Sequence, residues 1–127
     1  MTAKTGPKKI LIVEDDQSVM EIVFEALKST YTIEAASSAD EAYEKLKSFQ
    51  PHLVLTDNDM PGITGIEMLK SLRQQQNYVT VIFLSGRTDS QFVTEALRSG
   101  ADDYIRKPFR INELMARVEV ALRNNDL

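Results

Sequence analysis

Residues His52–Gly62 read HLVLTDNDMPG. Leu53, Val54 and Leu55 make a short apolar run that breaks into Asp57-Asn58-Asp59, and Met60-Pro61-Gly62 stops regular structure from continuing. An apolar run of this length without polar alternation fits a strand covered on both faces, and Pro followed by Gly marks a turn. Two carboxylates therefore stand where a buried strand ends, a place where charge is costly to hold.

The pattern repeats on either side. Ile10–Val13, Val79–Leu84 and the short Tyr104-Ile105 are also apolar runs, while in Tyr31–Ala35 the residues Tyr31, Ile33 and Ala35 alternate with Thr32 and Glu34. Alternation fits a half-exposed edge strand. The segments between carry apolar stripes at helical spacing. They are Val19, Ile22, Val23, Ala26 and Leu27; Ala42, Leu46 and Phe49; Ile66, Leu69 and Leu72; Phe92, Val93, Ala96 and Leu97; and Leu114, Val118, Ala121 and Leu122. Ser38-x-x-Glu41 and Thr88-x-x-Gln91 predict capping boxes, Asn112 an N-cap, and Gly100 the end of the fourth helix.

Five β/α units in a row predict an α/β fold, a doubly wound five-stranded parallel sheet flanked by five helices and joined by right-handed crossovers. A Rossmann-like order and the order 2-1-3-4-5 both merit weight. The alternating second strand suits an edge and favours 2-1-3-4-5. In such sheets the ligand crevice lies beyond the carboxyl ends of strands one and three, where the order reverses.

Composition narrows the partners. At 127 residues, 43% hydrophobic and 27% charged, the chain is expected to be a single domain over residues 1–127. The net charge of −4 argues against direct nucleic-acid binding, and Lys4, Lys8 and Lys9 read as a solvated tail. With no Cys, disulfides and thiolate zinc sites are excluded. The run Ile10–Val13 stops at Glu14, short of the ~7–15 apolar residues of a signal peptide. No run approaches the ~18 needed to span a bilayer, so a cytoplasmic location without membrane contact is expected.

Strand one ends in Glu14-Asp15-Asp16 and strand three in Asp57-x-Asp59. In the order 2-1-3-4-5 these acids converge. Two carboxylates about 4 Å apart repel by roughly 4 kcal/mol at an effective dielectric of about 20. Such a cluster retains a proton or takes a cation, and a hard oxygen-only set suits Mg²⁺. Ser85 ends strand four and Lys107 follows strand five, adding a hydroxyl and an ammonium at the same edge. Together these groups can hold a transferring phosphoryl group, with a carboxylate as nucleophile.

The segments ILIVEDD (10–16), LVLTDNDMPGITG (53–65), VIFLSG (81–86) and GADDYIRKPF (100–109), in that order and spacing, resemble the receiver domain of two-component response regulators. The resemblance runs from Lys9 to Arg123 and implies the CheY-like (flavodoxin-like) fold. It implies that Asp57 is the phosphoacceptor, with Glu14 and Asp15 as the acidic pair. Asp15 would be the more direct Mg²⁺ ligand, Asp57 a further ligand, and Asp59 would offer its backbone carbonyl; Mn²⁺ could substitute. Lys107 would be the site lysine, Ser85 the switch hydroxyl and Tyr104 the switch aromatic. Asp16 is expected to be solvated and the Lys107–Pro108 bond cis.

The implied donor is a phosphohistidine on a sensor histidine kinase or phosphotransfer protein. N–H groups near Asn58, Asp59 and Gly86, with Lys107, would stabilise the added charge. Ser85 would then move towards the phosphoryl group and Tyr104 into the space it leaves. The face of the fourth helix, fifth strand and fifth helix would change shape, controlling a downstream protein or an output domain beyond residue 127, with a homodimer through that face as a further expectation. The chain would be a switch that catalyses only its own Asp phosphorylation and dephosphorylation.

Departures are few. Thr64 stands where the family usually has Asp and can still cap a helix; Gly86 replaces the commoner Ala. Asp59 and Arg87, two residues past Asp57 and Ser85, are expected to tune phosphoryl lifetime through an ion pair. His52 reads as a surface residue at a strand end. Asp57-x-Asp59 also resembles the nucleophile motif of haloacid-dehalogenase-type phosphatases, but here the acid cluster precedes Asp57 and no cap insertion exists. A flavin-nucleotide carrier would meet anionic repulsion at Glu14-Asp15-Asp16. A pseudo-receiver lacking the chemistry would not need every site residue type.

Overall fold

The computed structural model describes residues 6–87 and 89–125. Strands β1 (Lys9–Val13), β2 (Thr32–Ala36), β3 (Leu53–Thr56), β4 (Thr80–Ser85) and β5 (Asp103–Arg106) alternate with helices α1 (Gln17–Leu27), α2 (Ala39–Phe49), α3 (Gly65–Gln74), α4 (Ser90–Arg98) and α5 (Ile111–Asn125). The sheet is parallel with order β2-β1-β3-β4-β5, which settles the choice against a Rossmann-like arrangement and puts β2 at an edge.

Because successive strand residues face opposite sides, the continuous apolar runs feed two cores. Leu11, Val13, Val54, Val81 and Phe83 pack with α2, α3 and α4; Ile10, Ile12, Leu55, Ile82 and Ile105 pack with α1 and α5. The helical stripes are narrower than their sequence suggests. Ile22 and Leu97 are 51% and 48% exposed. Ile22 sits about 100° around the helix from Val23, so the line through Met20, Val23 and Leu27 meets the sheet while Ile22 falls on the outer shoulder. Among the described residues, no helix is long and apolar enough to cross a membrane.

Helix ends show where local chemistry departed from expectation. Ser38 caps α2 as foreseen, although Glu41 reaches back to the N–H of Ser37. Thr64 and Glu67 form a complete capping box on α3. Asp16 is not merely solvated: its carboxylate accepts from the N–H groups of Ser18 and Val19 and caps α1. The cap of α4 is Asp89, which accepts from Phe92 N–H; the expected Thr88 lies outside the described residues. Asn112 lies inside the first turn of α5, which already begins at Ile111. Gly100, at φ 110°, closes α4 by donating to Leu97 while Ala101 donates to Ala96, a Schellman end.

Candidate functional site

Parallel pairing of β1 with β3 sets Val13 opposite Thr56, so the next residues, Glu14 and Asp57, leave the sheet side by side. Asp57 N–H donates to Val13 O (3.0 Å) and Glu14 N–H to Ala36 O (2.9 Å), continuing the ladders by one step. Across β4, Lys107 N–H donates to Ser85 O (2.9 Å), which brings the lysine to the same edge. The Lys107–Pro108 bond is cis, as expected.

Glu14 is 3% exposed and Asp57 7%, whereas Asp15 is exposed. Lys107 Nζ donates to Glu14 Oε1 at 2.8 Å and lies 3.5 Å from Asp57 Oδ2. Glu14 Oε2 accepts from Asp16 N–H at 3.2 Å. One oxygen from each of Glu14, Asp15 and Asp57 lies within 4.8 Å of the others. Among the described residues this is the carboxylate cluster; the Asp59 side chain is not in it, and its Oδ1 accepts from Asn58 Nδ2 (3.3 Å).

The electrostatics follow from crowding in a partly dry place. Burial raises the Asp57 carboxyl above its ordinary value, and the Asp59 charge adds to this. Lys107 and the N–H groups of Asp59 and Asn58 pull the other way without overcoming it. Glu14 is likewise raised by burial, against the Lys107 bond and Asp16 N–H. For Lys107, burial alone would lower the ammonium, but the Glu14 hydrogen bond and the charges of Asp57 and Glu14 outweigh it, so it stays protonated well past neutrality. An oxygen-only acidic cluster without imidazole or sulfur fits a hard divalent cation.

Residues 10–119 match the profile of the response regulator receiver domain. The chain belongs to that family. The receiver is 38% identical over 123 residues to the DNA-binding response regulator MtrA of Mycobacterium tuberculosis, covering 96% of this chain and 54% of MtrA. It is 35% identical over 121 residues to the alkaline phosphatase synthesis transcriptional regulatory protein PhoP of Bacillus subtilis, covering 94% and 50%. It thus spans about half the length of the curated relatives it matches. A Francisella response regulator receiver domain superposes with a TM-score of 0.87 at 30% identity, covering 92% of this chain and 98% of that one. A CheY-like receiver domain protein from Methanospirillum hungatei gives a TM-score of 0.89 at 27% identity, covering 95% and 98%.

In the receiver, Ser85 is fully buried and its Oγ accepts from Arg87 N–H at 3.2 Å. The Tyr104 hydroxyl donates to the Arg87 carbonyl. Burial raises the Tyr104 hydroxyl pKa, with the neighbouring Ser85 hydroxyl opposing. Its ring stacks on Phe83 (centroids 6.4 Å) and meets Phe92 edge-on (5.7 Å). The structure does not bring Arg87 to Asp59 as expected. Its guanidinium lies over the Phe92 ring (4.6 Å) and its Nε is 3.5 Å from Asp89 Oδ1, a nearer partner on the same loop. His52 also differs from expectation: it is half-buried, and its Nδ1 accepts from Lys9 N–H (2.9 Å) where β1 and β3 begin.

Sequence reasoning missed Gly65. A Cβ there would lie 2.6 Å from the Asp57 carbonyl oxygen and 3.1 Å from Asn58 Cα, so only glycine lets α3 abut the turn that carries Asp57. The signal was a glycine at a helix start with no positive-φ turn to explain it. Gly65→Ala is expected to destabilise the receiver by about 1–3 kcal/mol, because backbone must move. At Gly86 an added Cβ meets nothing within 4 Å, and Gly86→Ala is expected to change stability by less than about 0.5 kcal/mol. Urea unfolding of the two variants checks the contrast.

Proposed function

We propose that the receiver takes a phosphoryl group from a phosphohistidine on a sensor histidine kinase or phosphotransfer protein onto Asp57. The reading rests on one observation: a buried Asp57 carboxylate set between Lys107 and the acids Glu14 and Asp15. An Asp57 oxygen forms the O–P bond as the P–N bond of the donor breaks, and the electron pair of that bond returns to the imidazole nitrogen. Lys107 and the N–H groups following Asp57 stabilise charge on the transferring group. Asp15, Asp57 and the Asp59 carbonyl would hold Mg²⁺, or Mn²⁺ in its place, which when bound offsets the negative charge of the acids and the phosphoryl oxygens. Glu14 belongs to the same carboxylate cluster, and its oxygens also accept from Lys107 Nζ and Asp16 N–H, so it holds Lys107 in place as well.

The domain is a switch that catalyses only its own aspartyl phosphorylation and dephosphorylation. Ser85 reports the phosphoryl group to Arg87 and Tyr104, and through the Phe83–Phe92–Tyr104 cluster to the α4-β5-α5 face. That face acts on a downstream protein or an output domain, and is where two copies would pair. Asp59 and Arg87, flanking the site, tune phosphoryl lifetime. The domain works in the cytoplasm, as a single domain over residues 1–127 with its core over about residues 9–123.

Incubation with acetyl phosphate and Mg²⁺, followed by mass spectrometry, is expected to show one added phosphoryl group mapping to Asp57. The label should be absent in chelator and strongly reduced in Asp15→Ala. A label mapping to any other residue, or none, would remove this reading.

A further inference from the structure

Asn58 follows the phosphoacceptor and is a polar side chain only 4% exposed, in a turn where an apolar residue would fill the space more simply. Its bonds all serve one purpose. Oδ1 accepts from Ile66 N–H (2.9 Å), the Asn58 carbonyl accepts from Gly65 N–H (3.1 Å) and Met60 N–H (3.1 Å), and Nδ2 donates to Asp59 Oδ1 (3.3 Å). The first two N–H groups of α3, which a helix leaves without intrahelical partners, are thus both taken by Asn58. With Gly65 admitting the Asp57 carbonyl against its bare Cα, the turn from Asp57 to Met60 is fastened to α3 from both sides.

We infer that Asn58 is a positioning residue for phosphoryl transfer: its side-chain amide locks the turn to α3 and so aims the N–H groups of residues 58 and 59 at the reacting oxygen of Asp57. The inference rests on the phosphoacceptor reading of Asp57. Stabilising donors act only when held in place before reaction, and small displacements cost rate more than they cost binding.

The test measures labelling rate with acetyl phosphate in wild type, Asn58→Leu and Asn58→Asp, each confirmed folded by circular dichroism. Asn58→Leu keeps bulk but offers Ile66 N–H no acceptor. It is expected to lower the rate at saturating donor and saturating Mg²⁺ about tenfold while leaving the half-saturating donor concentration unchanged. Asn58→Asp restores an acceptor and is expected to recover most of the rate. If Asn58→Leu does not fold, Asn58→Ala takes its place with the same expectation. A folded Leu or Ala variant labelling at the wild-type rate overturns the inference, as does an Asp variant no faster than that variant. Failure of wild type to label would instead remove the phosphoacceptor reading.

Discussion

Asp57→Asn is expected to abolish labelling by acetyl phosphate and, in chelator at neutral pH, to raise the melting temperature. The amide keeps the size of the side chain and still accepts from the N–H groups of Asn58 and Asp59, but it carries no charge beside Glu14. The folded-state pKa of Asp57 lies above its ordinary 3.8. Between that value and the raised one the folded state binds more protons than the unfolded chain, so wild-type stability falls as pH rises through this window. The advantage of Asn is full above the window and disappears below it. An advantage of about 1 kcal/mol would move the midpoint of a domain this size by about 3–6 °C. Mg²⁺ at about 100 times its dissociation constant adds about 2.7 kcal/mol to whichever form binds it, so the ranking should invert when the ion is supplied. Retained labelling, or a lower melting temperature in chelator, contradicts this account.

The parts of the molecule governed by period were legible before any coordinates. Ile10–Val13, Leu53–Leu55 and Val79–Leu84 fit strands with two covered faces, and the alternation in Tyr31–Ala35 favoured the order that puts β2 at the edge where it stands. Once that order holds, Glu14, Asp57, Ser85 and Lys107 come to one rim of the sheet, because parallel register carries the strand ends there.

Competition between neighbours was not legible. Thr88 and Asp89 are both good caps one residue apart, and nothing in the sequence singles out Asp89, which caps α4. Asp16 looked like a spare acid until the start of α1 supplied two N–H donors. Arg87 could have reached either Asp59 or Asp89, and the Phe92 ring beneath its guanidinium holds it on the side of Asp89. Asn58 carried no periodic signal, since its role depends on a helix start eight residues away.

Lys107→Met should be the most destabilising change at the site, and it should do so in a pH-dependent way. Methionine retains most of the stem volume but removes the cation held 2.8 Å from Glu14 and 3.5 Å from Asp57. Glu14 keeps only the Asp16 N–H, with its side chain 2% exposed. Breaking a buried pair from one side typically costs about 3–5 kcal/mol, and the partial exposure of Lys107 argues for about 2–3 here. Without the ammonium both carboxyls, already above their ordinary 4.5 and 3.8, rise further. The deficit of the variant should therefore be small in acid and grow as pH climbs through the raised carboxyl range. Wild type should lose less there, because Lys107 stays charged beside the acids and its raised value places loss of that pair above the ordinary 10.5. Adding Asp57→Asn to Lys107→Met should return part of the stability, since one of the two crowded charges is gone. Mg²⁺ should bind the single Lys107→Met variant more tightly than wild type, because the acids no longer have a cation of their own. Phosphorylation should nevertheless slow, as the ammonium that steadies the transferring group is lost. Tighter Mg²⁺ binding together with slower labelling would separate the electrostatic role of Lys107 from a structural one, whereas a pH-independent deficit with weaker Mg²⁺ binding would point to simple loss of packing.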